Sequence, residues 1–224
     1  GGLSGHRNPF GTGATATAGG APVENSAMRL QDYLIYHARE NPQADFSIFQ
    51  GERLSYGEAL AQARRLSRAL AAAGLAPGDR VAVLMRNRPD FALLYFACGA
   101  AGVVPVPLNV RLAPPEWEFI LRDSKARLVL AAAEFQPTIE AMRERLPLLE
   151  TLVAMSGPSE GWLEFEEWTR AQPARPLERE ISEDMDLYQM YTSGTTGRPK
   201  GAVLTHRAVT AHLTQVAPVM RIAP

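Results

Sequence analysis

Between residues 80 and 155 four short apolar runs recur at intervals long enough to hold a helix each. The run at 80–85 (Arg-Val-Ala-Val-Leu-Met) is bounded by turn residues on both sides, the pattern of a parallel strand buried on both faces. Residues 103–106, 126–131 and 151–155 repeat it. Helices are predicted between them: from Pro89 to about Ala100, from Pro114-Pro115 to about Arg122, and over 134–145. Proline suits the first turn of a helix, where its missing N–H is not needed. Alternating strands and helices at this spacing permit right-handed crossovers. The predicted fold class is therefore α/β, a doubly wound, mostly parallel sheet with flanking helices.

The segments around this block extend the reading. Residues 29–40 look helical, with Leu30, Tyr33, Leu34 and His37 on one face, and 44–49 reads as a strand followed by a turn at Gly51-Glu52. Ser55 and Glu58 have the spacing of a capping box, which starts a helix carrying Tyr56, Ala59, Leu60, Ala63, Leu66 and Leu70 at helical period. Gly74 ends that helix and Pro77 prevents its continuation. Residues 163–171 are predicted as a short helix. Residues 1–27 are rich in Gly, Ala and Thr without apolar periodicity, and are set aside as a tag, linker or disordered extension. The expected organisation is an α/β subdomain over 28–171, a charged, Pro-containing connector over 172–186, and the start of a second subdomain over 187–224.

Composition limits the function classes. Of 224 residues 46% are hydrophobic and 21% charged, and the net charge is −1, which gives no electrostatic footprint for nucleic acid. The single cysteine, Cys98, excludes an internal disulfide, sits in an apolar run and favours a cytoplasmic setting. Residues 91–108 carry no formal charge over 18 positions, near the length of a membrane span. Gly99, Gly102, Pro105 and Pro107 interrupt them, so a buried helix, a turn and a strand are expected, and no transmembrane segment. His6, His37 and His212 show no metal-ligand spacing.

The densest chemistry lies at 191–206, Tyr-Thr-Ser-Gly-Thr-Thr-Gly-Arg-Pro-Lys-Gly-Ala-Val-Leu-Thr-His. Three glycines (Gly194, Gly197, Gly201), four hydroxyl residues (Thr192, Ser193, Thr195, Thr196) and two cations (Arg198, Lys200) fall within ten positions. Glycines let successive backbone N–H groups form an anion-binding concavity. Hydroxyls donate to phosphate oxygens or ligate Mg²⁺, and lysine brings a mobile point charge. Lys200 follows Pro199 and precedes Gly201, so this is not a Walker A loop, and no G-x-G-x-x-G dinucleotide fingerprint occurs in the chain. Residues 187–191 read as a strand leading in and 202–204 as a strand leading out, both buried. Thr205 can cap a helix over about 206–216. A Gly/Thr-rich surface loop between two strands is the plainer alternative.

The stretch from Tyr191 to His206 resembles, without a gap, the signature loop of the adenylate-forming superfamily, which includes acyl-CoA synthetases, luciferases and the adenylation domains of peptide synthetases. Residues 54–60 (Leu-Ser-Tyr-Gly-Glu-Ala-Leu) resemble an early structural element of that superfamily, and 97–112 resemble a second. Asn109, in the second, leans toward the CoA ligases. The resemblance implies a two-step ligase: a carboxylic acid, of which a fatty acid is the expected case, attacks Mg·ATP to give an acyl-adenylate and pyrophosphate, and the CoA thiol then displaces AMP. It implies that the hydroxyls of Ser193, Thr195 and Thr196, with the backbone of Gly194 and Gly197, hold the phosphates that leave. Thr192 joins them and helps ligate Mg²⁺, and Lys200 supplies a catalytic cation. Arg198 is assigned no firm role, and Tyr191 and His206 are assigned to packing.

Later elements of the superfamily, those for the ribose, the metal-binding Glu and the acyl pocket, do not occur before Pro224. The 224 residues alone are therefore expected to be inactive, and self-association through uncovered apolar surface is expected. Two other readings stay open: an adenylation domain that loads a carrier protein, and a non-catalytic module for a phosphorylated ligand or for assembly.

Overall fold

A computed structural model describes residues 28–157, 160–192 and 198–219. Along the chain come α1 (Leu30–Glu40), β1 (Asp45–Phe49), β2 (Glu52–Ser55), α2 (Tyr56–Ala72), β3 (Arg80–Leu84), α3 (Pro89–Ala101), β4 (Val104–Pro107), α4 (Pro114–Asp123) and β5 (Ala126–Ala131). Then follow α5 (Gln136–Met142), β6 (Thr151–Ala154), β7 (Leu163–Glu164), α6 (Phe165–Arg170), β8 (Asp186–Thr192), β9 (Lys200–Thr205) and α7 (His206–Val219).

The centre is a five-stranded sheet in the order β4-β3-β5-β6-β7, parallel throughout. The chain steps from β3 to β4 on one side and returns across β3 to β5 on the other, which sends α3 and α4 to opposite faces. Alternate residues feed the two faces. Val81, Val83, Leu128, Leu130 and Val153 pack with Leu66, Leu70, Leu94 and Cys98 of α2 and α3. Ala82, Leu84, Val129, Ala131 and Leu152 pack with Trp117 and Ile120 of α4 and Ile139 of α5. Every one of these strand residues is at most 3% exposed, as the apolar runs require. The α/β class, parallel sheet and flanking helices are those expected.

Local signals set several boundaries. The Ser55 N–H donates to Glu58 Oε2 at 2.9 Å and the Glu58 N–H to Ser55 Oγ at 3.3 Å, the reciprocal bonds of a capping box. Residues 91–108 divide as expected into the rest of α3, a left-handed Gly102 and β4. No helix among the described residues is long and apolar enough to cross a membrane.

Other boundaries differ. Residues 52–55 form a strand, β2, antiparallel to β1, so the turn falls on Gln50-Gly51 (φ 52° and 86°), one residue earlier than predicted. The helix predicted over 134–145 is α5 flanked by 3-10 turns at Ala133–Phe135 and Arg143–Arg145. Leu163 and Glu164 leave the predicted helix to add a short edge strand to the sheet. On α1 the fully buried positions are Gln31, Leu34 and Ala38, while Tyr33 and His37 are half-buried. Segment 172–185 lies against the ends of α2 and α3, where Arg179 donates to Ala101 O at 2.7 Å and Leu75 O at 2.8 Å.

Candidate functional site

β8 and β9 form an antiparallel pair separate from the parallel sheet, running from Asp186 opposite Thr205 to Thr192 opposite Lys200. Both strands are longer than predicted, and β9 is exposed over most of its length rather than buried. Among the exposed apolar side chains are Met190 at 43%, Val203 at 40% and Leu204 at 36%. Val203 and Leu204 read as buried because a local apolar run does not reveal what covers it.

The last pair of the ladder, Thr192 opposite Lys200, brings two of the predicted site residues together. Cα atoms in such pairs lie about 4.5–5.5 Å apart, so the residues that bound segment 193–199 are held close together. Thr192 and Lys200 are exposed, as is Arg198. Ser193, Gly194, Thr195, Thr196 and Gly197 lie outside the described residues. An ammonium and a hydroxyl at adjacent strand ends, open to solvent, can meet an anion arriving from outside.

The inner side of β8 is tied to the sheet by polar contacts. The Tyr191 hydroxyl donates to Asp123 Oδ2 at 2.5 Å, and the Gln189 amide donates to the Tyr191 hydroxyl oxygen at 3.1 Å. Arg80, at the start of β3, donates to Gln189 Oε1 and to Asp186 Oδ2, both at 3.3 Å. Burial, and then the bond to Asp123, push the Tyr191 phenol well above its ordinary value, so it stays a protonated donor. Gly201 stands opposite Tyr191, and a Cβ there would meet Gln189 Nε2 at 2.5 Å and Tyr191 Cζ at 2.9 Å. A side chain there would displace the Gln189 amide and the Tyr191 ring from the positions they hold.

Asp123, Arg80 and Gln189 were not singled out from sequence. Asp123 lies 68 residues from Tyr191 and meets it only because α4 ends beside β8. Asn109 serves a turn: its Oδ1 accepts from the Arg111 N–H at 3.0 Å and its carbonyl from the Trp117 indole at 2.9 Å.

After β9 the Thr205 hydroxyl accepts from the Ala208 N–H at 3.2 Å, the cap predicted for the helix, which runs on to Val219. His206, the first residue of α7, is 0% exposed. Burial, aided by nearby Arg29, pushes its imidazole down to about 4. Cys98 is fully buried and its thiol is pushed up by desolvation. Two cavities of ≈ 430 and ≈ 200 Å³ lie along α2, and neither is lined by a residue of the hairpin.

Comparison with known proteins places this geometry. The family model described as AMP-binding enzyme matches residues 34–223. The chain is 39% identical over 173 residues to the fatty acid–[acyl-carrier-protein] ligase ScoC of Streptomyces coeruleorubidus, covering 77% of this chain and 32% of that protein. It is 40% identical over 157 residues to the long-chain-fatty-acid–CoA ligase FadD13 of Mycobacterium tuberculosis, covering 70% of this chain and 30% of that protein. The crystal structure of the anthranilate CoA ligase AuaEII in complex with anthranoyl-AMP superposes with a TM-score of 0.78 at 31% identity, covering 84% of this chain and 37% of that chain. The chain thus spans about a third of the length of the curated relatives it matches.

Proposed function

This chain belongs to the AMP-binding enzyme family, and on that premise we propose that it is the phosphate-gripping part of an ATP-dependent acid–thiol ligase. The proposed reaction joins a carboxylic acid, ATP and CoA to give acyl-CoA, AMP and pyrophosphate through an acyl-adenylate. The observation that carries this reading is the pairing of Thr192 with Lys200 at the mouth of segment 193–199.

In this reading Lys200 offsets charge that accumulates on the departing pyrophosphate, and Ser193, Gly194, Thr195, Thr196 and Gly197 surround the β- and γ-phosphates. Fixed donors aimed at developing charge are an effective form of catalysis. Thr192 offers a metal one neutral oxygen beside the Lys200 cation, a set that suits Mg²⁺ only when nucleotide phosphates supply further ligands. Bound in that way, the metal would neutralise phosphate charge. The hold is on the phosphate end of the nucleotide alone, so the 224 residues are proposed to be inactive without the rest of the protein. A free, buried Cys98 suits a reducing cytoplasm.

A fatty acid is the proposed substrate, since two relatives that share 39% and 40% identity are ligases for fatty acids. One of them charges a carrier protein and the other CoA, which keeps the carrier as a second reading for the acceptor. The test is acid-dependent exchange of pyrophosphate into ATP by the full-length protein, across a panel of fatty and aromatic acids, followed by addition of CoA or a phosphopantetheinyl carrier. Exchange with at least one acid, and thioester on CoA, is expected. A folded protein that exchanges with no acid contradicts the ligase reading, and thioester on the carrier alone moves the acceptor to the second reading.

A further inference from the structure

His206 is buried for a reason that the proposed chemistry does not use. Its Nδ1 accepts a hydrogen bond from the Leu30 N–H at 3.2 Å, across 176 residues of sequence. Leu30 opens α1, and the first N–H groups of a helix have no partner inside it. His206 therefore caps α1 from another helix. Its own N–H donates to Met185 O at 3.1 Å, and its carbonyl accepts from the Thr210 hydroxyl at 3.0 Å.

The other ring nitrogen, Nε2, is buried and has no partner among the described residues, and the same is true of Oε1 of Gln31, one residue into α1 from Leu30. Buried polar groups without partners are few in folded proteins and costly. These two flank one notch. A Cβ placed on Gly99 of α3 would lie 3.1 Å from Gln31 Oε1, 3.1 Å from His206 Cε1 and 3.4 Å from Leu187 Cδ1 of β8. The absent side chain of Gly99 is what lets α1, α7 and β8 converge on α3.

The chemistry of the pair is complementary. An imidazole whose Nδ1 accepts a bond carries its proton on Nε2 when neutral. His206 thus brings a donor, and Gln31 an acceptor, to the same notch. Protonation would put a second N–H against the Leu30 N–H. The charged groups near the ring are Arg29, which precedes α1, and Asp32 of α1, paired with each other at 2.9 Å, while α3 and β8 present Gly99 and Leu187.

We infer that neutral His206, which shares the notch over Gly99 with the complementary acceptor Gln31 Oε1, is a positioning residue that fixes the β8–β9 hairpin, and so Lys200, against the parallel sheet. Leu187 holds β8 at the notch and His206 holds the chain directly after β9, so one locus anchors both strands. The effect on nucleotide binding rests on the phosphate reading given above, whereas the anchoring does not.

The test uses the full-length protein. Nitrogen NMR of the labelled histidines should show His206 as the Nε2-protonated tautomer, staying neutral down to about pH 5; a ring that titrates near the ordinary value of about 6.5 overturns the proposal. Gln31→Leu removes the acceptor, and His206→Asn keeps an acceptor for Leu30 while removing the Nε2–H donor. Each should speed amide hydrogen exchange in β8 and β9 by about tenfold and raise KM for Mg·ATP by a factor on the order of 3–10, with KM for the acid unchanged. A merely structural role would lower the melting temperature while leaving hairpin exchange and KM for Mg·ATP at wild-type values, and that result overturns the proposal. If hairpin exchange speeds while neither these variants nor Lys200→Ala changes KM for Mg·ATP, the anchoring stands and the phosphate reading fails. Should both variants fail to fold, the tautomer and titration of the wild-type ring decide.

Discussion

The parallel sheet and the β8–β9 hairpin sit side by side and are held by different balances of apolar and polar contact. Strands β3, β5 and β6 are covered on both faces by apolar side chains, so their position follows from dispersed contacts that no single residue dominates. Strand β9 is exposed along most of its length, and β8 is held by buried Leu187 and the Tyr188–Tyr95 ring contact together with a handful of polar groups, Arg80, Gln189, Tyr191 and Asp123. Stability is thus expected to reside in the sheet, and the aim of the candidate site in a few specific bonds. Substitutions can separate the two.

The largest loss of stability is expected at the centre of the sheet. Leu130 is 0% exposed, and Leu130→Ala should lower the free energy of unfolding by about 3 kcal/mol through lost burial and a cavity. Chemical denaturation measures it; a loss below about 1 kcal/mol would break the contrast, because exposed positions cost that little.

Acid should act next, through His206. Its imidazole lies at about 4 in the fold against an ordinary 6.5, so between those values the unfolded chain binds the extra proton. The stabilising contribution is complete above about pH 6.5 and is lost progressively as the pH falls toward 4. Denaturation midpoints of wild type and His206→Asn should converge as the pH is lowered through that window, and parallel curves would remove the assignment.

Tyr191→Phe should cost less, about 1 kcal/mol, since it deletes one hydrogen-bonding hydroxyl while Asp123 is open to water. Its sharper signature is local, as faster amide exchange in β8 with the sheet amides unchanged. Equal acceleration in both regions would show that the hairpin is part of the sheet's cooperative unit. The smallest effect on stability belongs to Lys200→Ala, which removes an exposed side chain and should shift unfolding by less than about 0.5 kcal/mol.

The same contrast explains what was legible in the sequence. Strand β5 matches its predicted limits, Ala126 to Ala131, because a strand buried on both faces is written as a nearly continuous apolar run, interrupted here only by Arg127. The start of α2 was equally plain, since Ser55 and Glu58 act within one turn. Segment 191–206 stood out by residue type, and the hairpin pairs Thr192 with Lys200 at the mouth of its central part. What stayed hidden depends on distant chain. Val203 and Leu204 look like core residues until the fold leaves them uncovered. Leu163 and Glu164 become a strand only because β6 offers an edge. Gln31 breaks the apolar face expected of α1, and its burial makes sense only beside Gly99 and His206.

The central claim is that the Thr192–Lys200 mouth grips the phosphates of ATP. Its most direct test is acid-dependent pyrophosphate exchange by the full-length protein, comparing wild type with Lys200→Ala at matched melting temperature. The account predicts unaltered folding and a fall in kcat/KM for Mg·ATP of about 100-fold, the scale on which removal of one charge-stabilising donor acts. Exchange by Lys200→Ala at the wild-type rate and with the wild-type KM for Mg·ATP would contradict it.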